Sequence, residues 1–189
     1  FTHGANSNAA AVRMYRTGLE PLVEAGRLLS VLAQFPWSFV ENAVNREHMQ
    51  RLLESLAGMA PVIFELRHKS WQSADAMDFL AGLGVSVAEL DYPSSTTGFQ
   101  PDACHVGQHA YLRLHGRNTK AWFSKGAGRD ETYNYLYESA ELDQIVRRAL
   151  KLAATSDSLT VIANNHYQGK EMVNALEIKA RLTQKKVPV

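Results

Sequence analysis

"AYLRLHGR", residues 110–117, reads as a strand that ends in a cluster of hydrogen-bond donors. Ala110, Leu112 and Leu114 alternate with Tyr111, Arg113 and His115, and residues two apart share one face of a strand. Arg113 and His115 therefore point together, and Arg117 follows them where Gly116 releases the chain into a loop. The same plan recurs along the chain. Apolar runs of strand length occur at 28–35, 61–67, 85–90 and 159–163. Their polar ends hold Gln34, then Glu65, Arg67 and His68, then Glu89 and Asp91, then Asn164, Asn165 and His166.

Helical patterns lie between most of these runs. Met49, Leu52, Leu53 and Leu56 form a stripe closed by Gly58, and Ser73 opens a short helix through Ala76, Met77 and Leu80. A further stripe of Leu142, Ile145, Val146, Ala149, Leu150 and Ala153 stands behind Ser139 as N-cap. The last helix is expected over about 169–182, with Met172, Val173, Leu176 and Ala180 inward. Near the start, Val12, Tyr15, Leu19, Leu22 and Val23 keep helical spacing while Gly18 and Pro21 threaten the ladder, which predicts one bent helix or two short ones. Alternation of apolar strands and helices predicts an α/β fold with a parallel sheet, and no linker or repeat divides residues 1–189 into more than a single domain.

Composition sets limits on partners. Twenty Lys plus Arg against nineteen Asp plus Glu give a net charge of +1, too little for a general field that attracts nucleic acid. Any anion site must then be local. The one cysteine, Cys104, has no intrachain partner, which favours a reducing, cytoplasmic setting. No apolar run approaches the roughly 20 residues that span a bilayer. The chain starts at Phe1 rather than Met, so an absent N-terminal portion is an expectation.

In parallel α/β folds ligands sit beyond the carboxyl ends of the strands. Glu65 and Arg67 share a face, so Glu65 is expected to pair with Arg67 or Arg113, leaving the other guanidinium for an anion. His115 then serves as acid or base. The alternative is that a Glu65–Arg113 pair is purely structural. His3, His48, His105 and His109 have no supporting pattern and are expected at the surface or in loops. Glu65, Asp91, His115 and His166 are metal-ligand types, but no H-x-H or H-E-x-x-H spacing accompanies them, so no metal ligand is assigned. Cys104 lacks a nucleophile signature, and the phosphate-loop, dinucleotide and G-x-S-x-G fingerprints are absent. Asn164 and Asn165 can orient a polar ligand through their amides, or simply make the turn into the next helix. Two long connections, 91–109 and 116–138, complete the picture; the second carries Trp122, Phe123, Tyr133, Tyr135 and Tyr137 and is expected to pack over something.

Taken together, "QFPWSF" at 34–39, "FELRHKSW" at 64–71, "YLRLHGR" at 111–117, "YLYESAEL" at 135–142 and "ANNHYQGKEMVNAL" at 163–176 resemble the YecE-like family, domain of unknown function 72. The resemblance covers nearly the whole chain and departs at Ala163, where the family usually has Phe. It implies a TIM-type β/α barrel that is incomplete here, about five of eight strand-helix units, with residues 1–189 as the C-terminal portion of that barrel. Its motif positions fall on Gln34, Glu65, Arg67, Trp71, Asp91, Arg113, His115, Gly116, Arg117, Tyr137, Asn164, Asn165 and Asn174, and it brings no catalytic roles.

The first functional expectation is acid/base chemistry on a small anionic substrate, phosphorylated or carboxylated. Glu65 and His115 would be catalytic, and Arg67, Asp91, Arg113, Arg117, Tyr137, Asn164 and Asn165 would bind substrate. The second is a non-catalytic module in which Trp122, the tyrosines, Lys125 and Arg129 hold a ligand or single-stranded nucleic acid. The third is metal-assisted hydrolysis. The residues specify neither a cofactor nor an oligomeric state.

Overall fold

The computed structural model describes residues 9–99 and 106–185. The expectations for His3, Cys104 and His105 lie outside these residues. Helix α1, Ala9–Glu24, runs unbroken with Pro21 inside it, so the segment is one helix. Its Arg16 donates from Nη1 to the carbonyls of Ser55 and Ala57, each at 3.0 Å, satisfying oxygens at the end of α2, Ala43–Leu56. Strands β1, Val31–Gln34, and β2, Val62–Glu65, flank α2. A 3-10 turn at Lys69–Gln72 leads into α3, Ala74–Gly82, where the Ser73 side chain accepts from the Ala76 N–H at 3.2 Å, the N-cap expected from the sequence. Then come β3, Ser86–Val87, β4, Glu89–Asp91, and β5, His109–Leu114. The aromatic connection contains two single-turn helices, α4, Thr119–Trp122, and α5, Arg129–Thr132. Helix α6, Ser139–Ala153, strand β6, Ser158–Ala163, and helix α7, Lys170–Gln184, complete the order.

The α/β class and the parallel pairing hold, but the expected TIM-type barrel does not. Among the described residues, the strands form two three-stranded parallel sheets, β1-β2-β3 and β4-β5-β6, and no closed barrel. The reason lies in the third apolar run. Read as one strand, it divides at Ala88: Ser86 and Val87 pair with Ile63 and Phe64, whereas Glu89, Leu90 and Asp91 pair with Leu112, Arg113 and Leu114. Continuous hydrophobicity marks a buried extended segment and does not say which neighbours it hydrogen-bonds. The chain correspondingly forms two compact units, Phe1–Ala88 with Thr96–Gly107, and Glu89–Ser95 with Gln108–Val189.

Each unit has its own core. In the first, Trp71 is fully buried; its Nε1 donates to the Phe39 carbonyl at 2.8 Å, and its ring stacks on Phe39, which stacks in turn on Phe35. That pairing answers both needs of a buried tryptophan, apolar contact and a partner for its one donor. His48 belongs to this core, buried with its ring edge-on to Phe39, and is not the surface residue expected.

In the second unit, Leu112 and Leu114 from β5 cluster with Leu142, Ile145 and Ala149 of α6 and with Ile178 and Leu182 of α7. The α6 stripe is the one the spacing predicts, but Glu138 rather than Ser139 holds the N-cap, its N–H donating to Glu141 Oε2 at 2.9 Å. The α7 face is turned from its expected position: Met172, Val173, Leu176 and Ala180 are exposed, and Asn174, Ile178 and Leu182 are inside. A four-residue spacing anchored on a buried asparagine decides this face, and apolarity alone selects the wrong stripe.

Candidate functional site

In a sheet, partners in register present their side chains to the same face. Glu89 pairs with Leu112 and Asp91 with Leu114, so both carboxylates stand on the face that Leu112 and Leu114 turn toward the α6 and α7 core. Leu90 pairs with Arg113 and Arg113 with Ile162, which places Arg113 on the opposite face. Continuing past the strand ends, Tyr92, His115 and Asn164 fall on the Arg113 side, while Asn165 falls on the helix side. The nine sequence-derived site residues thus separate.

On the helix side, Asp91 is buried and saturated. Arg117 donates to both its oxygens, Nε to Oδ1 at 2.8 Å and Nη2 to Oδ2 at 2.7 Å, while Tyr137 Oη donates to Oδ1 at 2.8 Å and Arg148 Nη1 to Oδ2 at 2.9 Å. Arg117 also reaches Glu141 at 3.0 Å, and Arg148 reaches Glu89 at 3.1 Å. The Arg117 guanidinium is raised above its ordinary range, first by its hydrogen bonds to Asp91. Burial pushes the Tyr137 hydroxyl well up, reinforced by the adjacent Asp91 charge, so it stays protonated and donates. Tyr135, donating to Glu141 at 2.7 Å, is pushed up to about 12 by burial and by that bond.

Gly116 closes this network. Its N–H donates to Tyr137 Oη at 2.9 Å, its φ is +88°, and a Cβ there would lie 2.7 Å from Tyr135 Cβ, so only glycine fits. Asn165 and Asn174 are fully buried beside it. Asn165 Nδ2 donates to the Tyr135 carbonyl at 2.8 Å and to Asn174 Oδ1 at 2.9 Å; the same oxygen accepts from the Tyr137 N–H at 3.1 Å. Of the sequence-derived residues, then, Asp91, Arg117, Tyr137 and Asn165 lock the 116–138 connection onto α6 and α7.

Arg113, His115 and Asn164 form a different kind of chain. Arg113 Nη2 donates to Asn164 Oδ1 at 2.9 Å, and Asn164 Nδ2 contacts His115 Nδ1 at 3.2 Å. His115 is buried among aromatic rings: Tyr92, Trp122 and Tyr133 lie at centroid distances of 6.4, 5.9 and 5.9 Å, and Trp122 stacks on Tyr92. The aromatic connection does pack over something, and that something is His115. Beyond it, Tyr133 contacts the His166 ring at 5.0 Å, and His166 Nδ1 lies 3.2 Å from the Asn164 carbonyl.

In the first unit, Glu65 is fully buried and takes Arg67 as partner, one of the two pairings expected, with Nε and Nη2 donating to Oε1 at 3.0 and 2.8 Å. Among the described residues, no three His, Cys, Asp or Glu side chains converge as a metal site. No helix among them is long and apolar enough to cross a membrane.

Sequence reasoning missed Tyr92, Glu141 and Arg148. Arg148 carried a legible signal, since it sits between Ile145 and Leu152 beside the apolar stripe of α6, where an arginine requires an acidic partner. Tyr92 carried none, because its place depends on the β4–β5 pairing.

A crystal structure of a DUF72 family protein from Thermotoga maritima MSB8 is similar at a TM-score of 0.86 and 31% identity, over 96% of this chain and 70% of that one. Two crystal structures of a DUF72 family protein from Enterococcus faecalis V583 share the fold, with TM-scores of 0.85 and 0.80 at 24% and 23% identity. Each is matched over 94% of this chain, and over 66% and 70% of its own. No curated protein matches. The family model described as "Protein of unknown function DUF72" matches residues 1–189, and with that and the Thermotoga likeness the chain belongs to the DUF72 family.

Proposed function

We propose that this chain is a YecE-like member of its family that binds a small phosphorylated or carboxylated molecule at the carboxyl ends of β4, β5 and β6 and performs acid/base chemistry on it. The observation that carries this reading is the Arg113–Asn164–His115 chain, on the sheet face opposite the saturated Asp91 network and beneath the Trp122 and Tyr133 rings. Arg113 supplies the anion contact, Asn164 holds both neighbours in place, and His115 faces the reacting group. The aromatic rings exclude water, which strengthens each polar contact beneath them. Arg117 has a supporting part, since each of its nitrogens is engaged with Asp91 or Glu141.

Nucleic-acid docking draws less support, because Trp122 and Tyr133 already pack on Tyr92 and His115 and do not stand open for base stacking. Thermal unfolding with a panel of small phosphate and carboxylate compounds tests the proposal. A ligand at about 100 times its Kd stabilises by about 2.7 kcal/mol, a rise of several degrees for a chain of this size. That rise is expected for at least one compound and is expected to vanish in Arg113→Met. A panel without effect, or a rise retained by Arg113→Met, rejects the anion site.

A further inference from the structure

Asn164 touches two histidines with opposite chemistry. A guanidinium only donates, so the atom of Asn164 that faces Arg113 Nη2 is the amide oxygen, and the amide nitrogen therefore faces His115 Nδ1. An amide NH2 only donates, so His115 Nδ1 accepts, and the ring hydrogen of neutral His115 sits on Nε2. The backbone carbonyl of Asn164 only accepts, so His166 Nδ1 carries a hydrogen, and the lone pair of neutral His166 sits on Nε2. Both rings lie against Tyr133, His115 at 5.9 Å and His166 at 5.0 Å between centroids. His115 is buried, whereas the His166 side chain is 35% exposed and open to proton exchange with solvent.

We propose that Asn164 is a positioning residue that fixes His115 and His166 in opposite tautomers, making His115 Nε2–H the hydrogen-bond donor and His166 Nε2 the proton acceptor of one acid/base pair. This deepens the proposed function and rests on it for the identity of the substrate, but not for the tautomers themselves. In the proton-transfer step, His166 Nε2 forms a bond to a substrate proton and becomes imidazolium. The electron pair of the broken X–H bond stays on the substrate, where His115 Nε2–H and Arg113 face the new negative charge. The proton returns to product or leaves through solvent. Asp130 Oδ1, 3.9 Å from His166 Nε2, is the charged group facing the imidazolium, and Tyr133 is the other titratable neighbour. Arg113 is linked to His115 through Asn164, and Tyr92 and Tyr133 are titratable neighbours of the His115 ring.

Long-range proton–nitrogen NMR correlation of the ring nitrogens tests this directly, with His115→Gln and His166→Gln used for assignment. Above the titration range, His115 is expected to show the Nε2–H pattern and His166 the Nδ1–H pattern. Either ring in the other tautomer overturns the proposal. Asn164→Asp sharpens the test, because a carboxylate only accepts: it is expected to move the His115 hydrogen to Nδ1 and to leave His166, held by the backbone carbonyl, unchanged. A His115 ring indifferent to Asn164→Asp also overturns it. Should that variant fail to fold, the wild-type tautomers alone decide. Inorganic phosphate added to the same samples separates the two proposals. Shifted resonances at Arg113 and His115 support the anion site, and their absence counts against that site while leaving the tautomer result to stand.

Discussion

The two faces of the β4-β5-β6 sheet carry similar residue types arranged to opposite effect. On the helix side, Asp91 accepts four hydrogen bonds from Arg117, Tyr137 and Arg148. On the other side, Arg113 and His115 are bridged by an amide, a neutral group that can both donate and accept. A saturated carboxylate is held by several partners at once, so it resists change and fixes a loop. An amide bridging a cation and an imidazole accepts from one and donates to the other, and the proposed site rests on that bridge.

The sharpest way to break this contrast is Asp91→Ala. It removes the shared acceptor of two guanidinium groups and a buried tyrosine, leaving Arg117 only Glu141 and Arg148 only Glu89 among the carboxylates named here, and is expected to lower stability by about 3 kcal/mol in denaturant unfolding. Asn164→Ala is expected to cost about 1–2 kcal/mol, since among the described residues its side chain bridges Arg113 and His115 through two hydrogen bonds. Equal losses for the two variants would abolish the distinction between a face fixed by a saturated carboxylate and one bridged by a neutral amide.

The smallest effect is one of pH. An unfolded tyrosine ionises near 10, whereas Tyr135 keeps its proton up to about 12, because burial and its bond to Glu141 favour the neutral form. A raised acid stabilises the fold fully below the unfolded value, and that contribution fades as pH climbs from about 10 through 12. Ultraviolet titration of the folded chain should show a tyrosine step near pH 12 that Tyr135→Phe removes, and the lack of any such difference between the two chains would remove Glu141 as its anchor.

Local periodicity made part of the site legible. The alternation in 110–115 put Arg113 and His115 on one face, and the structure keeps them there. The α6 stripe was legible for the same reason, a clear three-to-four spacing of aliphatic residues. For α7 the periodicity was ambiguous, because Met172, Val173 and Leu176 offer as apolar a stripe as Ile178 and Leu182. Asn174 breaks the tie through hydrogen bonds to the Tyr137 backbone, thirty-seven residues away in sequence. The split at Ala88 was hidden similarly, since Val85 to Leu90 is uniformly apolar or small until Glu89.

The sequence by itself determined an α/β chain, the places of its longer helices and of most of its strands, and the set of polar groups at the strand ends. Those follow from interactions between near neighbours in the chain. Only the tertiary structure decided that two sheets form instead of a barrel, that Asp91 and Arg117 turn to the helices, and that Asn164 stands between Arg113 and two histidines. Such outcomes depend on which strand pairs with which and in what register, and hydrogen bonds between distant segments set that register.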